Sequence, residues 1–152
     1  MTIAIVYASN TGNTEDLVHL LQGLFSEKQI AVSMYPVEEF PISELGRLDA
    51  IVVGTYTWGN GNIPDEMLPL YRAFEHYGRK DLVTGVAGTG DSGYPSFCGA
   101  VDEFRNMLFV QSNLAATLKI EVRPQGKDLD RCRKFVDLIV ERVCKKMFSK
   151  LT

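Results

Sequence analysis

The chain has one tryptophan, two histidines and three cysteines in 152 residues, and each scarcity excludes a class of chemistry. His19 and His76 are too few and too far apart for a histidine metal centre, and both read as surface residues. The cysteines, Cys98, Cys132 and Cys144, are odd in number and lack a C-x-x-C spacing, which argues for a reducing compartment. Cys132 and Cys144 fall on one predicted helix, roughly 18 Å apart, too far to pair. All three are expected as core or boundary thiols. No run approaches the ~20 apolar residues of a membrane span. The N-terminus enters a strand with no basic region before it, so the expected location is the cytoplasm. Net charge is −3 and no basic stripe crosses the body of the chain, which argues against a nucleic-acid surface. The basic residues gather near the C-terminus instead: Arg131, Arg133, Lys134, Arg142, Lys145, Lys146 and Lys150. They are expected to form a solvated helix face that complements the macrodipole.

What is present is a globular composition, 45% hydrophobic, of a length that suits one domain spanning 1–152. Apolar strands alternate with amphipathic helices. Strands are predicted at 2–7, 30–35, 50–54, 82–87 and 115–122. Helices are predicted at 13–27, 64–76, 97–110 and 127–146, with 36–48 irregular. Helix 13–27 sets Leu17, Leu20, Leu21, Leu24 and Phe25 on one face. The last helix would send Leu129, Cys132, Phe135, Val136, Ile139, Val140, Val143 and Met147 to the core. This βαβαβαβαβα order, with right-handed crossovers, gives an α/β three-layer doubly wound sandwich around a five-stranded parallel sheet. Ligands of such sheets sit outside the carboxyl ends of the strands, so loops 9–14, 54–63 and 88–97 should converge.

The first loop reads Ser9-Asn10-Thr11-Gly12-Asn13-Thr14 and contains no Lys or Arg. Strand before and helix after make it an anion cradle of backbone N–H groups, hydroxyls and helix dipole. Without the second Gly and the Lys of a Walker A loop, one phosphate fits better than a triphosphate with Mg²⁺. Trp58 and Tyr94 each stand among glycines and small polar residues on the other two loops. Either alone could simply cover the end of the sheet. Together with a phosphate cradle they suit a flat ring clamped between two faces. Gly88-Thr89-Gly90-Asp91-Ser92-Gly93 matches G-x-G-x-x-G, but it follows the fourth strand, and Tyr94-Pro95 stands where a helix should begin; a dinucleotide fingerprint is rejected. Asp91 either fixes its own turn or stands at the ligand's rim.

Ser9-x-Thr11-Gly12-x-Thr14, Thr57-Trp58-Gly59 and Gly90-Asp91-Ser92-x-Tyr94, followed by Phe97-Cys98-Gly99-Ala100-Val101-Asp102, resemble the flavodoxin family over essentially the whole chain. The uninterrupted stretch 113–122 resembles the short-chain bacterial type. The resemblance implies strand order 2-1-3-4-5, a flavodoxin-like single domain and bound FMN. It implies that Ser9, Asn10, Thr11, Asn13 and Thr14 hold the phosphate, with Gly12 allowing close approach. Trp58 and Tyr94 would cover the two ring faces. The Trp58–Gly59–Asn60 backbone would approach the N5 edge and the backbone around Thr89, Gly90 and Asp91 the pyrimidine edge; Thr55, Tyr56, Thr57, Phe97 and Cys98 would complete the site. Asn60 stands where many members are acidic, removing a negative charge that would disfavour the anionic hydroquinone. The implied function is a low-potential one-electron carrier, a semiquinone/hydroquinone shuttle and not an enzyme. It would be a monomer docking transiently with a flavodoxin reductase and acceptor redox proteins. Two other readings are an FMN-dependent NAD(P)H:quinone reductase and a flavoprotein partner of ribonucleotide reductase. The first usually carries insertions absent here; the second is usually shorter, with different flavin loops.

Overall fold

The run Ala50-Ile51-Val52-Val53-Gly54-Thr55 is fully buried because its strand is the centre of a sheet covered on both faces. The computed structural model describes residues 1–151. The strands are β1 (Ile3–Tyr7), β2 (Val32–Pro36), β3 (Ala50–Tyr56), β4 (Val83–Gly90) and β5 (Asn113–Glu121). The helices are α1 (Asn13–Glu27), α2 (Leu68–Tyr77), α3 (Gly99–Gln111) and α4 (Leu129–Leu151). All sheet pairings are parallel, in the order β2-β1-β3-β4-β5. One core layer joins Leu70 and Phe74 of α2 to Phe104 and Leu108 of α3. The other joins Leu17, Leu21 and Phe25 of α1 to Phe135 and Ile139 of α4. Among the described residues no helix is long and apolar enough to cross a membrane.

Element types match the sequence-based expectations, and the differences lie at ends. β2 starts at residue 32, not 30, because α1 closes on a left-handed Gln29 (φ 62) while the Ile30 N–H bonds back to Phe25 O at 3.1 Å. The segment 36–48 contains two 3-10 turns, Val37–Glu39 and Ile42–Arg47. A helix beginning at Pro64 is replaced by a 3-10 turn, Asp65–Met67, and α2 then begins at Leu68. Pro69 has no N–H to donate, so it fits only a first turn. Residues 88–90 belong to β4, not to a loop. A Cβ on Gly88 would lie 2.4 Å from Val101 Cγ2 and 2.6 Å from Thr55 O, so this glycine serves close packing inside the sheet. α3 starts at Gly99, after Cys98 turns the chain in the left-handed region (φ 52).

α4 runs past the expected residue 146, and Met147 is exposed rather than in the core. A 3-10 turn, Gly126–Asp128, with a Gln125/Asp128 capping box precedes it, so α4 itself starts at Leu129 and not at 127. The basic face expected to be solvated is partly structural. Arg142 donates to Asn113 Oδ1 (2.5 Å) and Leu114 O (3.2 Å), Arg133 pairs with Glu27 (2.8 Å), and Lys146 reaches Asp49 O (3.1 Å). Cys98 and Cys132 are buried as expected, whereas Cys144 is exposed. His19 and His76 lie at the surface.

Candidate functional site

Gly12 lets the chain leave β1 and enter α1 within one sharp turn. It is the N-cap of α1, at φ +92, a conformation that costs any residue with a Cβ. Having no side chain, it leaves the helix end open to the neighbouring loop. Ser9 Oγ accepts the Gly12 N–H (3.2 Å) and the Glu15 N–H (3.3 Å), so the hydroxyl already sits at the positive end of the helix. Thr14 is buried, and its hydroxyl shares a 2.8 Å hydrogen bond with Thr89 Oγ1, tying the first loop to the end of β4.

The second loop is a small hairpin. Trp58 and Asn62 exchange both backbone hydrogen bonds, at 2.8 and 2.7 Å, around Gly59 (φ +55) and Gly61 (φ +103). The hairpin is pressed onto the start of α3: a Cβ on Gly99 would meet Gly61 Cα at 2.7 Å, and Thr57 Oγ1 accepts the Ala100 N–H at 3.2 Å. Thr57 thus caps a helix distant in sequence. In the third loop Asp91 Oδ1 accepts the Gly93 N–H at 2.8 Å, fixing its own turn, while Asp91 also lines the cavity described next. The turn-fixing reading of Asp91 is thus borne out.

The three segments enclose one cavity of about 380 Å³, within the range of small-molecule and cofactor sites. Asn10, Thr11 and Asn13 line it from the first loop; Tyr56, Thr57, Trp58 and Gly59 from the second; Thr89, Gly90, Asp91, Tyr94 and Cys98 from the third. Trp58 and Tyr94 are 53% and 64% exposed, large apolar faces left open at the cavity. Ser9, Gly12, Thr14, Thr55, Asn60 and Phe97 do not line it. Thr55 is buried with its hydroxyl on Tyr56 O, Asn60 is exposed in the hairpin, and Phe97 packs on the α2/α3 core layer. Ser96 and Val122 line the cavity and were not foreseen. Val122 stands at φ +61, an outlier for a β-branched residue, with its N–H on Gly90 O at 2.7 Å.

No Lys or Arg lines the cavity. Burial pushes the Cys98 thiol up to about 11, which keeps it protonated and unreactive. The Tyr56 phenol is pushed up to about 12 by burial and by its bond to Glu66. Hydroxyls and amides at a helix start, with two aromatic faces beyond them, can hold one phosphate by uncharged hydrogen bonds and stack a flat ring. Among the described residues there is no cluster of metal-ligating side chains.

A parallel five-stranded sheet of order 2-1-3-4-5, with a cavity at its switch point, defines a doubly wound α/β protein. The family model for flavodoxin matches residues 5–135, and the chain belongs to the flavodoxin family. It is 34% identical over 135 residues to probable flavodoxin 1 of Bacillus subtilis, covering 86% of this chain and 85% of that one. Its fold superposes on oxidised flavodoxin 1 of Bacillus cereus with TM-score 0.84 at 30% identity, covering 93% and 98% of the two chains. A short-chain flavodoxin associated with a bacterial microcompartment gives TM-score 0.88 at 26% identity, covering 94% and 99%. β5 runs unbroken from Asn113 to Glu121, as the short-chain type requires. Flavodoxins are electron-transfer flavoproteins and bind FMN.

Proposed function

We propose that this flavodoxin is a low-potential one-electron carrier whose FMN lies in the switch-point cavity. The observation that carries the reading is the convergence of three loops on one cavity, with Trp58 and Tyr94 exposed at it and no cation in its lining. Asn10, Thr11, Asn13 and the α1 N-terminus, ordered by Ser9, Gly12 and Thr14, hold the phosphate by dipoles and hydrogen bonds. Trp58 and Tyr94 bracket the ring. Tyr56, Thr57 and Gly59 border one ring edge; Thr89, Gly90 and Asp91 border the other; Cys98 backs the site. FMN supplies the redox chemistry, and the protein supplies orientation and electrostatics. A lining without a cation and with the Asp91 carboxylate in it makes added negative charge on the ring costly, which sets a low potential for the last electron.

Flavodoxin-like domains work in redox chains with reductases. We assign the same place to this chain: a cytoplasmic monomer of one domain, taking electrons from a reductase and passing them to acceptor enzymes through short-lived complexes. Titration of the apoprotein with FMN and with riboflavin tests the site. FMN is expected to bind and riboflavin to bind more weakly, because only FMN fills the cradle. A protein that takes up neither contradicts the reading. Turnover of NADPH with a quinone, without added reductase, would make the protein an enzyme instead of a carrier.

A further inference from the structure

Tyr56 ends β3 with its ring half-buried against the α2/α3 core layer. Its hydroxyl donates to both carboxylate oxygens of Glu66, at 3.0 and 3.1 Å. Glu66 belongs to the 3-10 turn Asp65–Met67, anchored by the buried Met67. The same Tyr56 ring meets Trp58 edge-on, with centroids 6.4 Å apart and planes at 80°. The two backbone bonds between Trp58 and Asn62 fix the hairpin but leave the indole free to turn about its own side-chain torsions. No other aromatic ring contacts Trp58 among the described residues. The ring contact of the indole is thus with Tyr56, whose own ring is held on one side by the core layer and at its hydroxyl by Glu66.

We propose that Glu66 is a positioning residue for the cofactor: through Tyr56 it fixes the angle at which Trp58 stands at the cavity. This rests on the FMN site proposed above. A glutamate in the first turn of a helical segment is ordinarily explained by the macrodipole. Here its carboxylate is drawn onto a phenol by charge-assisted bonds, which are shorter-ranged and more directional than a dipole contact. A phenol titrating near 12 keeps its proton throughout the neutral range, so the link does not open there. Glu66 touches no reacting atom. Its effect is transmitted by one hydrogen-bonded ring and one edge-to-face contact.

The test uses the single tryptophan as its own reporter. Acrylamide quenching and anisotropy of Trp58 fluorescence are measured in the full-length apoprotein for wild type, E66A, E66Q, Y56F and the double variant Y56F/E66A. FMN affinity is then measured for each. E66A and Y56F are expected to raise quenching, lower anisotropy and weaken FMN binding by about two- to tenfold, the range of one aromatic contact. The double variant should show no more than either single change, because both break one link. E66Q retains an acceptor for the Tyr56 hydroxyl and should stay near wild type, separating orientation from charge. Unchanged Trp58 signals and FMN affinity in E66A overturn the proposal, as do effects of E66A and Y56F that add. Failure of the wild type to bind FMN would strike the functional reading instead, while the apoprotein fluorescence still decides the role of Glu66.

Discussion

Gly59 stands at φ +55, and a Cβ placed there would meet only Asn62 Nδ2, at 3.6 Å. Space is therefore no obstacle to Gly59→Ala. The obstacle is backbone: the left-handed region costs an alanine about 1–2 kcal/mol. A peptide next to glycine can rotate its carbonyl toward a ring edge cheaply, and an alanine there resists that rotation. Gly59→Ala should lower the maximum fraction of one-electron-reduced flavin in a stepwise reduction; equal fractions in variant and wild type would refute the role. Thiol reagents give a second check at this scale. Cys144 is exposed and should label in the native protein, while buried Cys98 and Cys132 should label only on unfolding. Trp58 and Tyr94 were legible in the sequence because aromatic residues among glycines have no apolar period to belong to. Val122 was not, because a valine in the left-handed region leaves no trace in composition or spacing. Cys144 was misplaced because helical periodicity gives a face and not how far the sheet extends beneath it.

Strand ends, not strand centres, carry the functional elements. β3 and β4 pair beyond the apolar runs, through Thr55↔Gly88 and Tyr56↔Thr89, so the cavity floor is sheet rather than loop. Gly88→Ala should cost about 1–3 kcal/mol by overpacking against Val101 and Thr55, read as a lower denaturation midpoint at unchanged slope. The hairpin at 58–62 and the start of α3 behave as one element through the Thr57 cap. Thr57→Val keeps the side-chain shape and removes the acceptor; about 1 kcal/mol of stability should be lost, with faster hydrogen exchange at the Ala100 amide. Such long-range caps cannot be read from sequence, because the partner lies 43 residues away and only the fold brings it near. Element types were legible because short continuous apolar runs, as strands buried on both faces require, alternate with longer stretches of 3.6 period. Ends such as Gln29 and Cys98 were not, because they depend on single left-handed residues.

At the scale of the molecule, the cavity lies at the carboxyl edge of the sheet, and Asp49, just before β3, gathers contacts at the opposite edge. Lys146, with little exposed side chain, lies 3.6 Å from Asp49 Oδ1, and the Thr2 N–H donates to Asp49 Oδ2 at 2.7 Å. Burial alone would raise the Asp49 carboxyl, but the Thr2 N–H and the Lys146 ammonium outweigh it and hold it below its ordinary value. A carboxyl lowered on folding lends stability that is full above the ordinary value of 3.8 and is lost as pH falls below it. Asp49→Asn should therefore destabilise the protein at neutral pH, with the difference from wild type shrinking in acid unfolding curves below that value. The alternation of strands and helices made the doubly wound architecture legible, and the three loop motifs made the family legible. The bonding of the α4 basic face was not, since charge spacing on a helix does not reveal which sheet edge it reaches. A one-electron carrier built on this cavity should show, in spectroelectrochemical titration of the FMN-reconstituted protein, two separated one-electron steps with the second at low potential; a single two-electron step would contradict that role.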